Sequence, residues 1–365
     1  MDLQKWNTNR KGTTMILFFT DIHINETATF STATETGFSV RQMESIQCFQ
    51  EVVDTLKDPQ YKFDAVVFGG DLFHKVGNSI STSDLACATK CILMVQEECI
   101  KQGITFYMIP GNHDIASNIQ GFHKLITFKT YKNVEVVDTF KEIGDYVFMP
   151  YAYDDDEANN FLENIKDKQN KIVFSHLELK DVPLGNGLTS SHGASIKTLT
   201  QFKSVLQGHY HIPQTPADNI IVAGSCHKTS FKDPGGGSMI IYDNENNTYA
   251  RKYFTVPSWY TFDDDNIDEI KELDSNNYVK VVISSENILK IHNITREYLK
   301  RFKGSEIMID VQKISLKRKQ NQQESIENES EEEILHRFIE ESKVPAEDKQ
   351  ELIEIGLDLI ARARK

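Results

Sequence analysis

The 365-residue sequence predicts an α/β layered domain, followed by a small α+β strand-helix-strand unit and a C-terminal helical hairpin. Two observations predict it. Short β-branched and aromatic runs alternate with segments whose apolar residues recur at helical spacing, and this texture changes after Pro257 and again at Lys313. The length exceeds one ordinary core, which favours a main domain with smaller appendages.

Residues 1–14 are polar, lack the apolar core of a signal peptide, and read as an N-terminal extension. The main domain is expected over 15–256, with strands at 15–20, 65–68, 104–109, 146–149, 171–174, 204–206, 220–223 and 238–242. Segments 41–56 and 83–101 carry apolar residues at helical spacing without internal proline or glycine, so both are expected helices. A second domain is expected over 257–312, with strands at 278–283 and 306–311 flanking a helix at 288–302. Residues 313–330 are too polar to bury a core and read as a linker. Within 331–365 the spacing predicts two short amphipathic helices, the second opening at Pro345 and ending on Arg362, Arg364 and Lys365, as the helix dipole favours. Their apolar stripe, Leu335, Phe338, Ile339, Leu352, Ile355 and Leu359, requires a cover, either a partner subunit or the chain's own body.

A net charge of −14 argues against coating nucleic acid by bulk electrostatics, so any polyanion must be bound locally. The apolar run at 15–19 is far too short to span a bilayer, and an intracellular, cytoplasmic protein without a membrane anchor is expected. Five cysteines, three of them within one helical segment (Cys87, Cys91, Cys99), lack paired zinc-type spacing and read as reduced thiols.

The expected strands end in polar ligands, one after another. The run 15–20 ends in Asp21 and His23, 65–68 in Asp71 and His74, and 104–109 in Asn112, His113 and Asp114. The run 171–174 ends in His176, and 204–206 in His209 and His211. Residues two apart in an extended segment face one side, so Asp-x-His and His-x-His each aim two ligands together, and the five ends are expected to converge on one sheet edge. Carboxylate, amide and imidazole donors suit divalent metals between hard and borderline, and a carboxylate can bridge two ions. Two metals are the natural count for binding a phosphoryl oxygen and activating water. His123, His192, His227, His292 and His336 match no ligand spacing and read as structural or surface residues, His227 after "AGS" being the least certain of them to be idle.

In this order the motifs D-x-H, GD, GNH, H and GH-x-H resemble the calcineurin-like metallophosphoesterase superfamily. The histidine three residues after Asp71 is similar to the DNA-repair nucleases of the SbcD or Mre-eleven type, and "SHG" at 191–193, with the two C-terminal units, looks most like the SbcD-type subunit of T-even phages. The resemblance implies a layered two-sheet nuclease domain, a capping domain at 257–312 and a helix-loop-helix at 331–365 that grips an SbcC or Rad-fifty type coiled-coil ATPase. It implies that Asp21, His23, Asp71 and His211 hold one Mn²⁺, and that Asp71, Asn112, His176 and His209 hold the other. His74 would stabilise or rotate the phosphate, His113 would act as general acid, and Asp114 would orient His113. The implied function is a homodimeric 3′-to-5′ exonuclease and single-strand or hairpin endonuclease on DNA, for double-strand-break repair and recombination. Lys313, Lys317, Arg318 and Lys319 form a strip that either meets phosphates or is a solvated charge run. The sequence departs from the family after His23, where Leu-Gly is missing, and at Cys226, His227 and Lys228. The alternatives are a phosphoesterase acting on small molecules or phosphoproteins, and a scaffold with an idle site.

Overall fold

A computed structural model describes residues 14–117, 121–182, 190–233, 235–263, 277–284 and 306–312, together with Leu335, Ile339, Lys349, Gln350, Ile353 and Leu357. The chain opens with β1 (Met15–Phe19), α1 (Val40–Leu56), β2 (Phe63–Phe68), α2 (Thr82–Gln102), β3 (Thr105–Met108) and β4 (Val134–Val136). It continues through β5 (Lys141–Ile143), β6 (Tyr146–Met149), α3 (Asp155–Asn164), β7 (Ile172–Ser175), α4 (Ile196–Leu199), β8 (Ser204–Gln207), β9 (Gln214–Ala217) and β10 (Ile220–Val222). The strands β11 (Ser238–Asp243), β12 (Thr248–Tyr253), β13 (Trp259–Asp263), β14 (Tyr278–Ser284) and β15 (Glu306–Gln312) follow.

Two six-stranded sheets, ordered β12-β11-β1-β2-β3-β4 and β5-β6-β7-β8-β10-β9, make this an α/β fold of two layered sheets. Neighbours from β1 through β4 run parallel, as do β6, β7, β8 and β10, while antiparallel pairs close the flanks. Alternation along β1 explains the layering. Met15, Leu17 and Phe19 enter one core with α1 and α2, and Ile16 and Phe18 enter a second core with Phe148, Phe174 and Leu206 of the other sheet. Covered on both faces, β1 is apolar at every position. On the far side of the second sheet Val173 and Val205 pack with Ala158, Leu162 and Leu199.

The two long helices start where the sequence caps them. Ser39 Oγ accepts from Gln42 N (3.2 Å) and Gln42 Oε1 accepts from Ser39 N (2.9 Å), a reciprocal cap on α1, and Ser81 caps α2 through Asp84 N. All eight strands expected in the main domain are present; the short or polar ones (β4, β5, β9, β12) and the helices α3 and α4 were not anticipated.

A three-stranded sheet, β13-β14-β15, contains the strands expected at 278–283 and 306–311. Two units divide the chain, one of Met1–Phe262, Ile270–Lys280 and Arg301–Met308, the other of Asp263–Glu269, Val281–Lys300 and Ile309–Lys365. Leu335, Ile339, Lys349, Gln350, Ile353 and Leu357 are helical. Residues 1–13 of the expected N-terminal extension, the expected helix at 288–302, the expected linker 313–330 and the rest of the expected hairpin, including Phe338, Leu352, Ile355 and Leu359, lie outside the described residues, as do His292 and His336. Among the described residues no helix is long and apolar enough to cross a membrane. The five thiols are buried and unpaired with one another.

Candidate metal centre

The ligand-bearing ends belong to both sheets, not to one edge. The C-terminal ends of β1, β2 and β3 supply Asp21, His23, Asp71, His74, Asn112, His113 and Asp114, and those of β7 and β8 supply His176, His209 and His211. The loops after β1 and β2 are zipped by backbone bonds, Asp21 N to Gly70 O (2.9 Å) and His23 N to Asp71 O (3.0 Å). Nor is Asp-x-His an extended pair. Asp21, His23, Asp71 and His209 adopt φ of 55°, 50°, 58° and 71°, a left-handed backbone that non-glycine residues avoid unless the surroundings enforce it. Left-handed turns, rather than the period of a strand, therefore bring these side chains together.

Four donors meet on one side. His23 Nε2 lies 3.0 Å from His211 Nε2, 3.8 Å from Asp21 Oδ1 and 3.6 Å from Asp71 Oδ2. On the other side, Asn112 Oδ1 lies 3.3 Å from His176 Nε2 and 3.1 Å from His209 Nδ1, while His176 Nε2 is 3.4 Å from Asp71 Oδ2. One oxygen, Asp71 Oδ2, thus faces both groups, the position of a bridging ligand. Its other oxygen accepts from His113 N (2.8 Å). Glycine is required against this carboxylate. A Cβ on Gly111 would lie 2.2 Å from Asp71 Oδ1 and 2.7 Å from His176 Nε2. Gly70, at φ 104°, would meet the His176 ring likewise.

Outer partners fix the ligands. His176 Nδ1 donates to Gly69 O (2.6 Å), which leaves Nε2 as the metal-facing lone pair in the neutral ring. His211 Nδ1 donates to Asp233 Oδ2 (3.0 Å), an oxygen that also accepts from Thr229 N and Thr229 Oγ1, both at 2.9 Å. Asp233 was not singled out from the sequence; only the fold carries it to His211. Asp21 Oδ2 accepts from Thr20 Oγ1 (2.6 Å) and His209 N (3.0 Å). Its Oδ1 is buried without a hydrogen-bond donor.

His113 and His74 lie on the His23 side, with ring centroids 4.8 and 5.5 Å from that of His23. The three offer ring nitrogens within 4.8 Å of one another. The expected role of Asp114 is corrected. Its carboxylate accepts from the amides of Asp71 (2.8 Å), Leu72 (3.0 Å), Phe73 (3.2 Å) and Gly111 (3.0 Å), binding the β2 and β3 loops together, and the His113 ring is held instead by donating Nδ1 to the carbonyl of His74. Adjacency in sequence misled because the turn after β3 sends successive side chains in different directions. Lys124, also missed, is buried and donates its ammonium to the carbonyls of Lys75 and His113, pinning the same loop.

The charge balance calls for cations. Burial raises Asp21 above the usual carboxylate range, with Asp71 adding to the shift. Burial pushes His23 well below its usual value, and His209, for the same reason and because His176 is close, down to about 3. At His176 burial opposes the proton, yet Asp71 and Asp21 outweigh it and hold the ring at about 9. Without metal, that proton and the Asp71 carboxylate neutralise each other, and Asp71 is held well below the usual range. The bare Asp21 oxygen, two imidazole nitrogens facing each other at 3.0 Å and a carboxylate shared by two donor groups are the features that divalent ions satisfy. The residues therefore fit two metals.

The other described histidines take no part: His123 pairs with Asp138 (3.1 Å), His192 lies 3.8 Å from Asp155, and His227 is buried against Arg41 and Ser45.

The family model of the calcineurin-like phosphoesterases matches residues 14–213, a stretch that contains all ten ligands and candidate catalytic residues. The 078R protein of Invertebrate iridescent virus 3, which carries the name of a phosphoesterase, is 29% identical over 208 residues, covering 53% of this chain and 56% of that protein. A solved structure described as that of a novel archaeal phosphodiesterase matches 66% of this chain and 99% of its own, with 12% identity and a TM-score of 0.32. With residues 14–213, more than half of its 365, matched to the family model, the chain belongs to the calcineurin-like phosphoesterase family.

Proposed function

We propose that the chain is a two-metal phosphodiesterase acting on DNA, the nuclease subunit of an SbcCD-type double-strand-break repair or recombination complex. The observation that carries the reading is Asp71 Oδ2, set between His23 and His176 at 3.6 and 3.4 Å with a complete donor group on either side. Asp21, His23, Asp71 and His211 would hold one ion and Asp71, Asn112, His176 and His209 the other, with Mn²⁺ the preferred metal. Bound divalent cations supply Lewis acidity for a phosphoryl oxygen and lower the pKa of water.

The chain's own residues do the remainder. Nδ1 of His113 is anchored on the His74 carbonyl, which leaves Nε2 as the ring nitrogen that would pass a proton to the leaving oxygen. His74, buried at Nδ1 and with its ring centroid 5.5 Å from that of His23 and 5.7 Å from that of His113, would orient the phosphate. The nuclease specialisation rests on His74 and on the sequence of the C-terminal units, and the ATPase and a second copy of the chain are the proposed partners, the former through 331–365.

The test is cleavage of end-labelled duplex, single-stranded and hairpin DNA beside a phosphomonoester, with Mn²⁺ or with chelator, by wild type and His113→Ala. Manganese-dependent DNA cleavage that falls by at least about 100-fold in His113→Ala, with metal binding kept, is expected. Monoester hydrolysis without DNA cleavage would refute the nuclease and favour a phosphatase of small molecules or phosphoproteins.

A further inference from the structure

Beside the His209 flank of the metal centre runs a groove of about 610 Å³ whose aromatic lining is Phe122, Phe140, Tyr151, Tyr153 and Phe161. Its volume is that of a small-molecule site. Tyr151 ties its wall to the centre. The Tyr151 amide donates to Pro110 O (3.0 Å), at the start of the Asn112 loop, and its ring lies 6.4 Å from that of His209 at an interplanar angle of 30°. Tyr153 meets Tyr151 edge to face at 5.2 Å, and Phe140 and Phe161 pack on each other at 5.6 Å.

Two of these rings stand in water, Phe122 at 52% and Tyr153 at 63% exposure, and exposed aromatic rings that line one groove mark a binding surface. The charges on the rim exclude a phosphate as the occupant. Asp138 is already paired with His123 and Lys129, Asp154 caps α3, and Glu157 adds a further acid. An aromatic trough with an acidic rim suits a flat, uncharged ring that carries N–H donors.

We infer that this groove seats one unpaired nucleobase, that of the nucleotide next to the scissile phosphate, stacked between Phe122 and Tyr153. The inference rests on the phosphodiesterase reading and deepens it. A base still paired inside a duplex cannot enter the trough, so the enzyme acts on strands whose base has left the helix. Phe122 and Tyr153 then determine substrate choice without touching the reacting atoms.

The test uses the full chain with Mn²⁺ and two single-stranded oligonucleotides, identical except that one is abasic beside the scissile bond. Wild type is expected to cleave the complete strand with a kcat/KM about 5- to 100-fold higher, the difference lying mainly in KM. In Phe122→Ala/Tyr153→Ala the ratio should fall towards one, while Tyr153→Phe, which keeps the ring, should preserve it. Equal cleavage of both strands by wild type, or an unchanged ratio in the double variant, would overturn the groove. If neither strand is cleaved the nuclease reading fails by itself. The groove is then decided on thymidine 5′-(p-nitrophenyl phosphate) against methyl p-nitrophenyl phosphate, where a wild-type preference lost in the double variant upholds it and equal rates, or no hydrolysis of either, overturn it.

Discussion

Replacing Asp233 by Asn should weaken metal binding about 10- to 100-fold, although Asp233 touches no metal. The magnitude follows from what each oxygen does. Oδ2 takes three donors, His211 Nδ1 at 3.0 Å and the Thr229 amide and hydroxyl at 2.9 Å each, whereas Oδ1 takes only Gly235 N at 2.9 Å. An asparagine has a single acceptor oxygen. Turned towards the three donors, it confronts Gly235 N with its own NH₂; turned the other way, it confronts all three. The first arrangement costs less, about 1–3 kcal/mol for one buried donor left without an acceptor. It keeps His211 oriented but removes the charge that makes the ring a stronger ligand.

A second effect runs the other way. Although burial disfavours a proton on His211, the hydrogen bond to Asp233 and the nearby carboxylates raise its pKa, so in the metal-free protein part of the population carries a proton that the metal must displace. Asp233→Asn lowers that competition, and its benefit fades above the folded-state pKa, where the ring is already neutral. Titrating metal-free wild type and variant with Mn²⁺ by calorimetry at pH 7 and pH 8.5 separates the two. The loss of affinity should be larger at the higher pH, with circular dichroism confirming the fold. A folded variant that binds Mn²⁺ within twofold of wild type at both pH values would refute the role of Asp233.

Gly111→Ala should lower activity by at least about 100-fold, because its methyl carbon would lie 2.2 Å from Asp71 Oδ1 and 2.5 Å from Asp71 N and so must displace the bridging carboxylate; metal titration should show the same defect, and near-normal binding would contradict the bridge. Burial, reinforced by the charge of Arg41, pushes the His227 imidazole down to about 3, against about 6.5 in an unfolded chain. The contribution of His227 is therefore complete above pH 6.5 and is lost below it, by about 1.4 kcal/mol per pH unit down to pH 3, as the unfolded chain takes up a proton that the folded one refuses. Urea denaturation at pH 7 and pH 5 should show about 2 kcal/mol less of this loss in His227→Gln than in wild type. Removing 331–365 should leave the nuclease activity intact but abolish co-elution with the coiled-coil ATPase on a sizing column.

The residues of the candidate metal centre were legible because chemistry constrains residue type: Asp-x-His and His-x-His at the ends of apolar runs have few other uses in such a series. Their geometry was not. The pairs converge through left-handed backbone at Asp21, His23 and His209, and period-two reasoning cannot see a turn that only the zipped loops enforce. Central strands such as β1 announce themselves, since both faces are buried and every residue is apolar, whereas β9, a polar edge strand that includes Pro216, has one neighbour and no such signature. Asp233 was invisible for a further reason. A lone acid in a glycine-rich stretch is the commonest of loop features, and its partner His211 lies 22 residues away. A search for carboxylates that could serve each ligating histidine would have raised it as one candidate among many.

The acidity of the chain, at first an objection to a polyanionic substrate, is resolved at short range. Exposed charges are screened beyond about 8 Å at physiological salt, so the net charge of −14 would set the approach of a DNA substrate more than its reaction. What a phosphate meets at the centre is decided by buried groups. Asp21 and Asp71 bring two carboxylates there, and neither lies in water that could screen it. Two divalent ions would overturn that balance and leave the centre locally positive, while the Asp154 and Glu157 rim of the neighbouring groove stays negative. On the proposed function a phosphodiester would be sorted, its phosphate to the metals and its base to the aromatic rings. Affinity gained in this way comes from one phosphate and one base, not from a long basic track, so a strand held by this chain alone is held weakly. On the same proposal, the acidic surface would be a reason for the chain to depend on a second subunit for its grip on DNA.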